Sequence, residues 1–471
     1  VRRLVFARDT NSLTTLLLAY PSKTLAERVN PAEYIHSGLP LRKIIEQHSL
    51  EWKSKIADFC HSNGNEADHE GSHISWVFPM ESDWEFDNGW IDKELGFIFR
   101  KAKETQLTSL YIPRMKDIVM NKQSQDVPKN PTERELQRQS QVMSMLAMGS
   151  PAICAYRALR RYYKTDNDAL ACAFRIGLAF IDLFNKPESI AVLELLYPQK
   201  SMEYWQRVIR YSVEGNLQAV LDEYVFMLRN DHENIYELTE ALCSAVTLRT
   251  STLKIDDASS FEKKDVEDSD VRHTMRSHFA AAFGVSAKSS QGSEIRATSI
   301  REAFNSPFRP FVLATTSIGQ EGLDFHWYCR RIIHWNLPNN PIDFEQREGR
   351  INRYRGKVIR QRVAEKYRDE ISKYGNPWEE LFEIARQDKL KAKFPCDIVP
   401  NWHFDSDGVS IERVVPLYEF SQDIQRYEKM LHVLGLYRLT FGQPRQEELA
   451  EALDCALTPE EIDKLLIDLC P

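Results

Sequence analysis

Pro310-Phe311-Val312-Leu313-Ala314-Thr315-Thr316-Ser317-Ile318-Gly319-Gln320-Glu321-Gly322-Leu323-Asp324-Phe325 is the stretch whose reading decides the fold. Its first five residues form an apolar run of strand length, and hydroxyl residues and glycines follow at once. In open α/β sheets ligands bind where strands end. There Thr315, Thr316, Ser317 and Gly322 would let backbone N–H groups approach a phosphate closely. Asp324 is placed to accept from a sugar hydroxyl or to orient an arginine.

A second block follows: Gln346-Arg347-Glu348-Gly349-Arg350-Ile351-Asn352-Arg353. A helix is predicted over Pro341–Asn352, with Asp343 and Glu345 near its positive end. Arg347, Arg350 and Arg353 are three residues apart, which on a helix lines them along one side. Neighbouring guanidiniums repel unless an anion lies between them, and their planar donors suit phosphate oxygens. Between the two blocks, Arg331–Asn336 reads as another strand, with Trp335 predicted in the core. Taken singly, an arginine-rich turn is usually a solvated face and Thr-Thr-Ser at a strand end is usually a turn. Both in order carry more weight.

Working outward, Arg296–Phe304 and Val271–Gly284 are predicted helices, and Asp256–Asp270 is a charged loop. Residues 133–250 read as helical throughout: Thr132–Met148, Pro151–Tyr163, Ala169–Phe184, Met202–Val213 and Asn216–Arg229 repeat apolar residues every three or four positions. Asp222-Glu223-Tyr224-Val225 has the letters of a DExx box but sits inside a helical pattern, so it is read as a decoy. Gln123–Pro131 reads as a linker and Cys60–His73 as a polar loop. The start reads as strand Arg3–Ala7 and helix Ser12–Ala19, capped by Asn11 or Ser12. The last helix is signalled by Thr458, Pro459, Glu460 and Glu461. The two α/β pieces flanking the helical stretch are predicted to share one sheet.

The chain has 471 residues and a net charge of -8, which excludes a uniformly basic surface but not a basic groove. No apolar run approaches the ~20 residues needed to span a bilayer. Eight cysteines without a CxxC read as reduced thiols in a cytoplasmic protein. Cys60, His61, His69 and His73 fit no zinc-finger spacing, and no metal is expected. Trp76, Trp84, Trp90, Trp327, Trp378 and Trp402 could stack bases, but aromatics are more often core residues. No G-x-x-x-x-G-K-[ST] occurs: Ala287 precedes Lys288, and Val358 follows Lys357. The chain opens on Val1 rather than Met, which raises the expectation of a preceding segment.

The first block resembles motif V of superfamily-two helicases. The second resembles motif VI, Q-R-x-G-R-x-x-R, and Leu4–Ala7 resembles motif IV. Asn336-Leu337-Pro338-Asn339-Asn340-Pro341 with Glu345 is similar to the Swi/Snf-like branch, which includes the bacterial RNA-polymerase-recycling ATPase. Tyr437-Arg438-Leu439 and Phe441–Gln446 are similar to helicases found beside phage-defence genes. The resemblance implies an α/β, RecA-like C-terminal lobe: a parallel sheet with flanking helices. Residues 1–35 and 286–367 would form it, residues 36–285 a large insertion (mostly helical from 132), and residues 368–471 an α-rich C-terminal extension.

Residue by residue, it implies that Arg350 and Arg353 are arginine fingers. Gly322, Asp324, Gln346 and Arg347 would lie at the nucleotide, and Thr315, Thr316 and Ser317 on the nucleic-acid backbone. ATP and Mg2+ would be held mainly by an N-terminal P-loop lobe, in the full-length protein or on a partner chain. The partner nucleic acid would be double-stranded DNA, and the insertion could dock other proteins. No membrane partner is expected. The rival reading is a non-catalytic interaction module that keeps the helicase fold.

Overall fold

The computed structural model describes residues 3–4, 15, 17–64, 78–79, 82–83, 127–247, 251–255, 273–277, 300–315, 324–338, 340–372, 375–391, 396–406 and 408–465. The chain divides into two compact units, residues 1–249 with 372–379, and residues 250–371 with 380–471. Residues 1–35 thus group with the helical array, and residues 250–285 with the second unit.

The first unit is helical: α1 Lys23–Arg28, α2 Leu41–Asn63, α3 Glu133–Gly149, α4 Pro151–Arg160, α5 Asp166–Phe184, α6 Pro187–Leu196, α7 Tyr204–Glu214, α8 Leu217–Leu228 and α9 Ile235–Thr247. In α2, Ile44, His48, Trp52, Ile56 and Cys60 recur every fourth residue and are all buried. This helix packs on α3, and it takes in Cys60–Asn63, which the sequence assigned to a loop. At α3 the Thr132 hydroxyl accepts from the Glu135 N–H, and Glu133 and Glu135 complement the helix dipole. Ser150 ends α3, and Pro151 opens α4 without needing a donor. α5 is the central helix, packed by α4 and α9. Val127 and Pro128, in the expected linker, are buried.

A buried polar network crosses this unit. Arg157 on α4 donates to the carbonyls of Ala26 (2.9 Å), Ala147 (2.6 Å), Leu25 and Val29, and to Gln218. Three of these carbonyls belong to the last turn of α1 or its cap, where the helix has no donors of its own. Arg161 grips Asp222 with two bonds, 2.7 and 2.9 Å, and also donates to the Gly375 carbonyl. Burial raises the Asp222 carboxyl pKa despite that arginine. Asp222 therefore lies in the core, within α8, as the helical pattern predicted. Trp378 stacks on Phe226 at 6.0 Å, and Tyr162 donates to Asn376.

The second unit contains β1 Ser251–Ile255, β2 His273–Ser277, β3 Arg331–Ile333, α10 Pro341–Glu348, α11 Lys357–Tyr367, α12 Pro377–Leu390 (its first turn in the first unit), β4 Glu412–Val414, α13 Asp423–Leu439, α14 Gln446–Ala456 and α15 Pro459–Leu465. β1 and β2 pair antiparallel, Ser251 opposite Ser277 and Ile255 opposite His273. β3 and β4 pair parallel, Arg331 opposite Glu412 and Ile333 opposite Val414. At α15, Thr458 and Glu461 form a reciprocal cap.

Four expectations are corrected here. Residues 273–277 are strand where the helix Val271–Gly284 was predicted, because a paired strand satisfies their backbone bonds. Pro310–Ala314 is not a strand: Phe311 and Val312 are 77% and 82% exposed. Pro310 has no N–H for a ladder, and among the described residues no strand pairs with the run. The strand Arg331–Asn336 stops at Ile333, since its partner stops at Val414. The chain then turns, the Trp335 N–H bonding the Ile333 carbonyl, so Trp335 is 75% exposed rather than core. Of the expected first strand only Arg3 and Leu4 are described. Leu4 exchanges two hydrogen bonds with the Asn185 side chain; Ala7, Asn11 and Ser12 lie outside the described residues.

Candidate functional site

The two sequence blocks meet through backbone bonds. Helical residues 300–304 lead to Asn305, whose side chain donates to the Asp324 carbonyl (2.6 Å) and accepts from the Trp327 N–H. Phe304 meets Phe325 edge to face at 5.7 Å. The Phe325 N–H then donates to the Arg350 carbonyl (3.0 Å), and the Lys357 N–H to the His326 carbonyl (2.9 Å). Arg360, fully buried, donates to the carbonyls of Arg355 and Trp327 (2.7 and 2.5 Å). Asp324–Trp327 is thereby fixed against the arginine-bearing turn.

That turn departs from expectation. Asn340 caps α10, Pro341 occupies its first turn, and the helix ends at Glu348 rather than Asn352. Only Arg347 is helical; Arg350 and Arg353 lie in the turns beyond Gly349, so the three guanidiniums do not line one helix side. Helical pairing is replaced by local bonds: the Arg350 N–H bonds the Arg347 carbonyl and the Gly356 N–H bonds the Arg353 carbonyl. Arg347 donates to the Asn336 carbonyl, 3.0 Å. Arg353 Nε lies 2.9 Å from Asp324 Oδ1 and 3.2 Å from the Gly349 carbonyl. Arg350 Nε is buried and, among the described residues, meets no acceptor. Gln346 and Thr315 are exposed. Thr316, Ser317 and Gly322 lie outside the described residues.

His326 is buried between these pieces. Burial pulls its imidazole down to about 4; Asp324 opposes this, and Arg360 and Arg353 add to it. The Asp324–Arg353 pair is partly exposed, 43% and 36%, so it orients the arginine more than it stabilises the fold.

Other contacts gave no local sequence signal. Glu348 receives two bonds from Arg413, one of 2.6 Å, and lies 3.3 Å from His334 Nε2. Burial raises the Glu348 pKa, but the His334 and Arg413 hydrogen bonds outweigh it and the carboxyl is lowered. Glu345 receives Arg438 Nε at 2.6 Å. These partners are 65 and 93 residues away in sequence.

Of the weighed metal ligands, Cys60 is buried with its thiol pushed up to about 12 by burial, and His61 is exposed on α2. His69 and His73 lie outside the described residues, as do Trp76, Trp84 and Trp90. Among the described residues no group of three or more His, Cys, Asp or Glu is arranged to hold a metal. No single described helix is long and apolar enough to cross a membrane, although α3 and α4, bent by 45°, pass together on length and composition.

Residues 262–355 match the family model of the helicase conserved C-terminal domain. The match supports a superfamily-two helicase C-terminal domain in this segment. Both sequence blocks fall inside the match, and the domain implies a RecA-like C-lobe. No curated protein and no solved structure matches the chain. Helicase domains of this kind generally engage nucleic acid. Here Asp324 of the first block bonds Arg353 of the second through its side chain and Asn305 through its carbonyl.

Proposed function

We propose that this chain supplies the C-terminal motor lobe of an ATP-dependent helicase or translocase. The observation that carries the reading is the pairing of an anchored arginine with an unclaimed one. Arg353 is held at Nε by Asp324 and the Gly349 carbonyl, and its guanidinium carries four further N–H donors of the kind that suit a phosphate. Three residues earlier in the chain, the buried Arg350 Nε meets no acceptor among the described residues. A buried donor left unpaired is costly unless an anion completes it. The cluster therefore fits a nucleotide phosphate.

In this reading Arg350 and Arg353 are the arginine fingers, and Gly322, Asp324, Gln346 and Arg347 flank the nucleotide. Thr315, Thr316 and Ser317 contact the nucleic-acid backbone. A P-loop lobe, on the same or another chain, would hold most of ATP and Mg2+. When bound, ATP supplies the free energy for movement. The Swi/Snf-like linking segment and Glu345 favour tracking along duplex DNA over strand separation. Binding would rest on phosphate contacts and weaken with salt.

The test uses the motor with its P-loop lobe present. Arg350→Ala or Arg353→Ala is expected to cut ATP turnover by ~10³-fold while largely sparing nucleotide affinity. Turnover near the parent level in both variants overturns the finger assignment.

A further inference from the structure

The arginine-bearing turn leaves α10 directly after Gly349, so its placement follows the placement of α10. Three residues of that helix face the C-terminal extension. Phe344 is fully buried, stacked on His334 at 4.0 Å, with the Arg413 guanidinium 4.6 Å from its ring and Tyr427 of α13 at 6.3 Å. Glu345 receives Arg438 of α13. Glu348, one turn on from Phe344, receives Arg413 of β4 through both carboxylate oxygens. Paired planar donors fix orientation as well as distance. Arg438 is 11% exposed and Arg413 24%, so both contacts are shielded from bulk water.

We propose that Arg413 and Arg438 are positioning residues: they clamp α10 from the C-terminal extension and set the angle at which Arg350 and Arg353 are presented. The extension is thus part of the motor's arginine-finger element. This rests on the finger reading above. The clamp acts on geometry, and misplacement of a catalytic group by about 1 Å costs up to ~100-fold in rate.

The experiment compares Arg438→Glu, Arg413→Gln and the double swap Glu345→Arg/Arg438→Glu, with Arg353→Ala as reference, all in the motor with its P-loop lobe. Duplex-stimulated turnover, nucleotide KM, duplex affinity and melting temperature are read together. Each single variant is expected to lose ~10- to 100-fold in kcat, with KM and duplex affinity changed by no more than about twofold. The double swap is expected to recover most of the kcat. If Arg353→Ala is slow but Arg438→Glu and Arg413→Gln turn over like the parent, the clamp is overturned and the finger reading stands. If Arg353→Ala keeps its turnover, the finger reading fails and takes the clamp with it. A joint fall of kcat, affinity and melting temperature that the swap does not reverse makes the contacts merely structural and also overturns the clamp.

Discussion

His326 couples the site to pH. Its imidazole is pulled from 6.5 down to about 4, chiefly by burial, so the folded chain prefers it neutral. Above pH ~6.5 both folded and unfolded forms are neutral and nothing is lost; as pH falls toward 4 the unfolded form takes up a proton that the folded form resists. The expected loss of stability across that window is about 3 kcal/mol at most. Urea midpoints at pH 7.5 and pH 5 should differ, and His326→Gln should shrink the difference; an unchanged difference would remove His326 as the cause. Glu348 acts lower down. Its lowered carboxyl stabilises the fold above its unfolded value of ~4.3 and loses that contribution only in more acid solution. At this scale the sequence named Asp324, Arg350 and Arg353 because they sit in short ordered patterns. Arg413, Arg438 and Asn305 were not legible, since their partners lie 19 to 93 residues away and no local spacing marks them.

At the scale of elements, helices with a strong buried stripe were read well, but Leu41–Asn63 was missed, residues 273–277 were misread as helix, and strands were read badly. Glu133–Gly149, Pro151–Arg160 and Asp166–Phe184 were legible because each carries its own buried stripe, the first with its own stop at Ser150-Pro151, whereas Pro187–Leu196, which buries only Leu193, was not singled out. A strand depends on a neighbour: Pro310–Ala314 and Trp335 are apolar, yet among the described residues no pairing strand covers them. The same packing logic gives a test in α5. A Cβ at Gly177 would lie 2.7 Å from Ala19 Cα and 2.9 Å from Ala152 Cβ. Alanine gains up to ~1 kcal/mol in helix propensity. Overpacking costs ~1–3 kcal/mol, and because the nearest clash is with backbone, the upper part of that range applies. Gly177→Ala should therefore destabilise the first unit, seen as a lower thermal midpoint. A midpoint raised by the substitution would show that the segment at Ala19 yields freely.

At the scale of the molecule, the matched helicase domain occupies residues 262–355, a minority of the 471. The expected boundary at 285/286 reflected where α/β patterning resumes, whereas compactness divides the chain near residue 249. β1 and β2, which lie on the second unit's side of that division, are joined across a charged segment whose composition hid them. In the proposed motor the arginine cluster would supply only one side of a nucleotide site, and the sequence contains no G-x-x-x-x-G-K-[ST] to cradle phosphates from the other. Arginine fingers stabilise a transition state that another lobe must first assemble. The purified 471-residue chain should accordingly show no duplex-stimulated ATP turnover, while its duplex binding weakens steeply between 50 and 200 mM salt, as phosphate contacts require. Adding a P-loop lobe, in trans or fused in cis, should bring turnover that Arg350→Ala abolishes. Stimulated turnover by the chain alone would place a phosphate-cradling loop among these 471 residues and overturn the division of labour proposed for it.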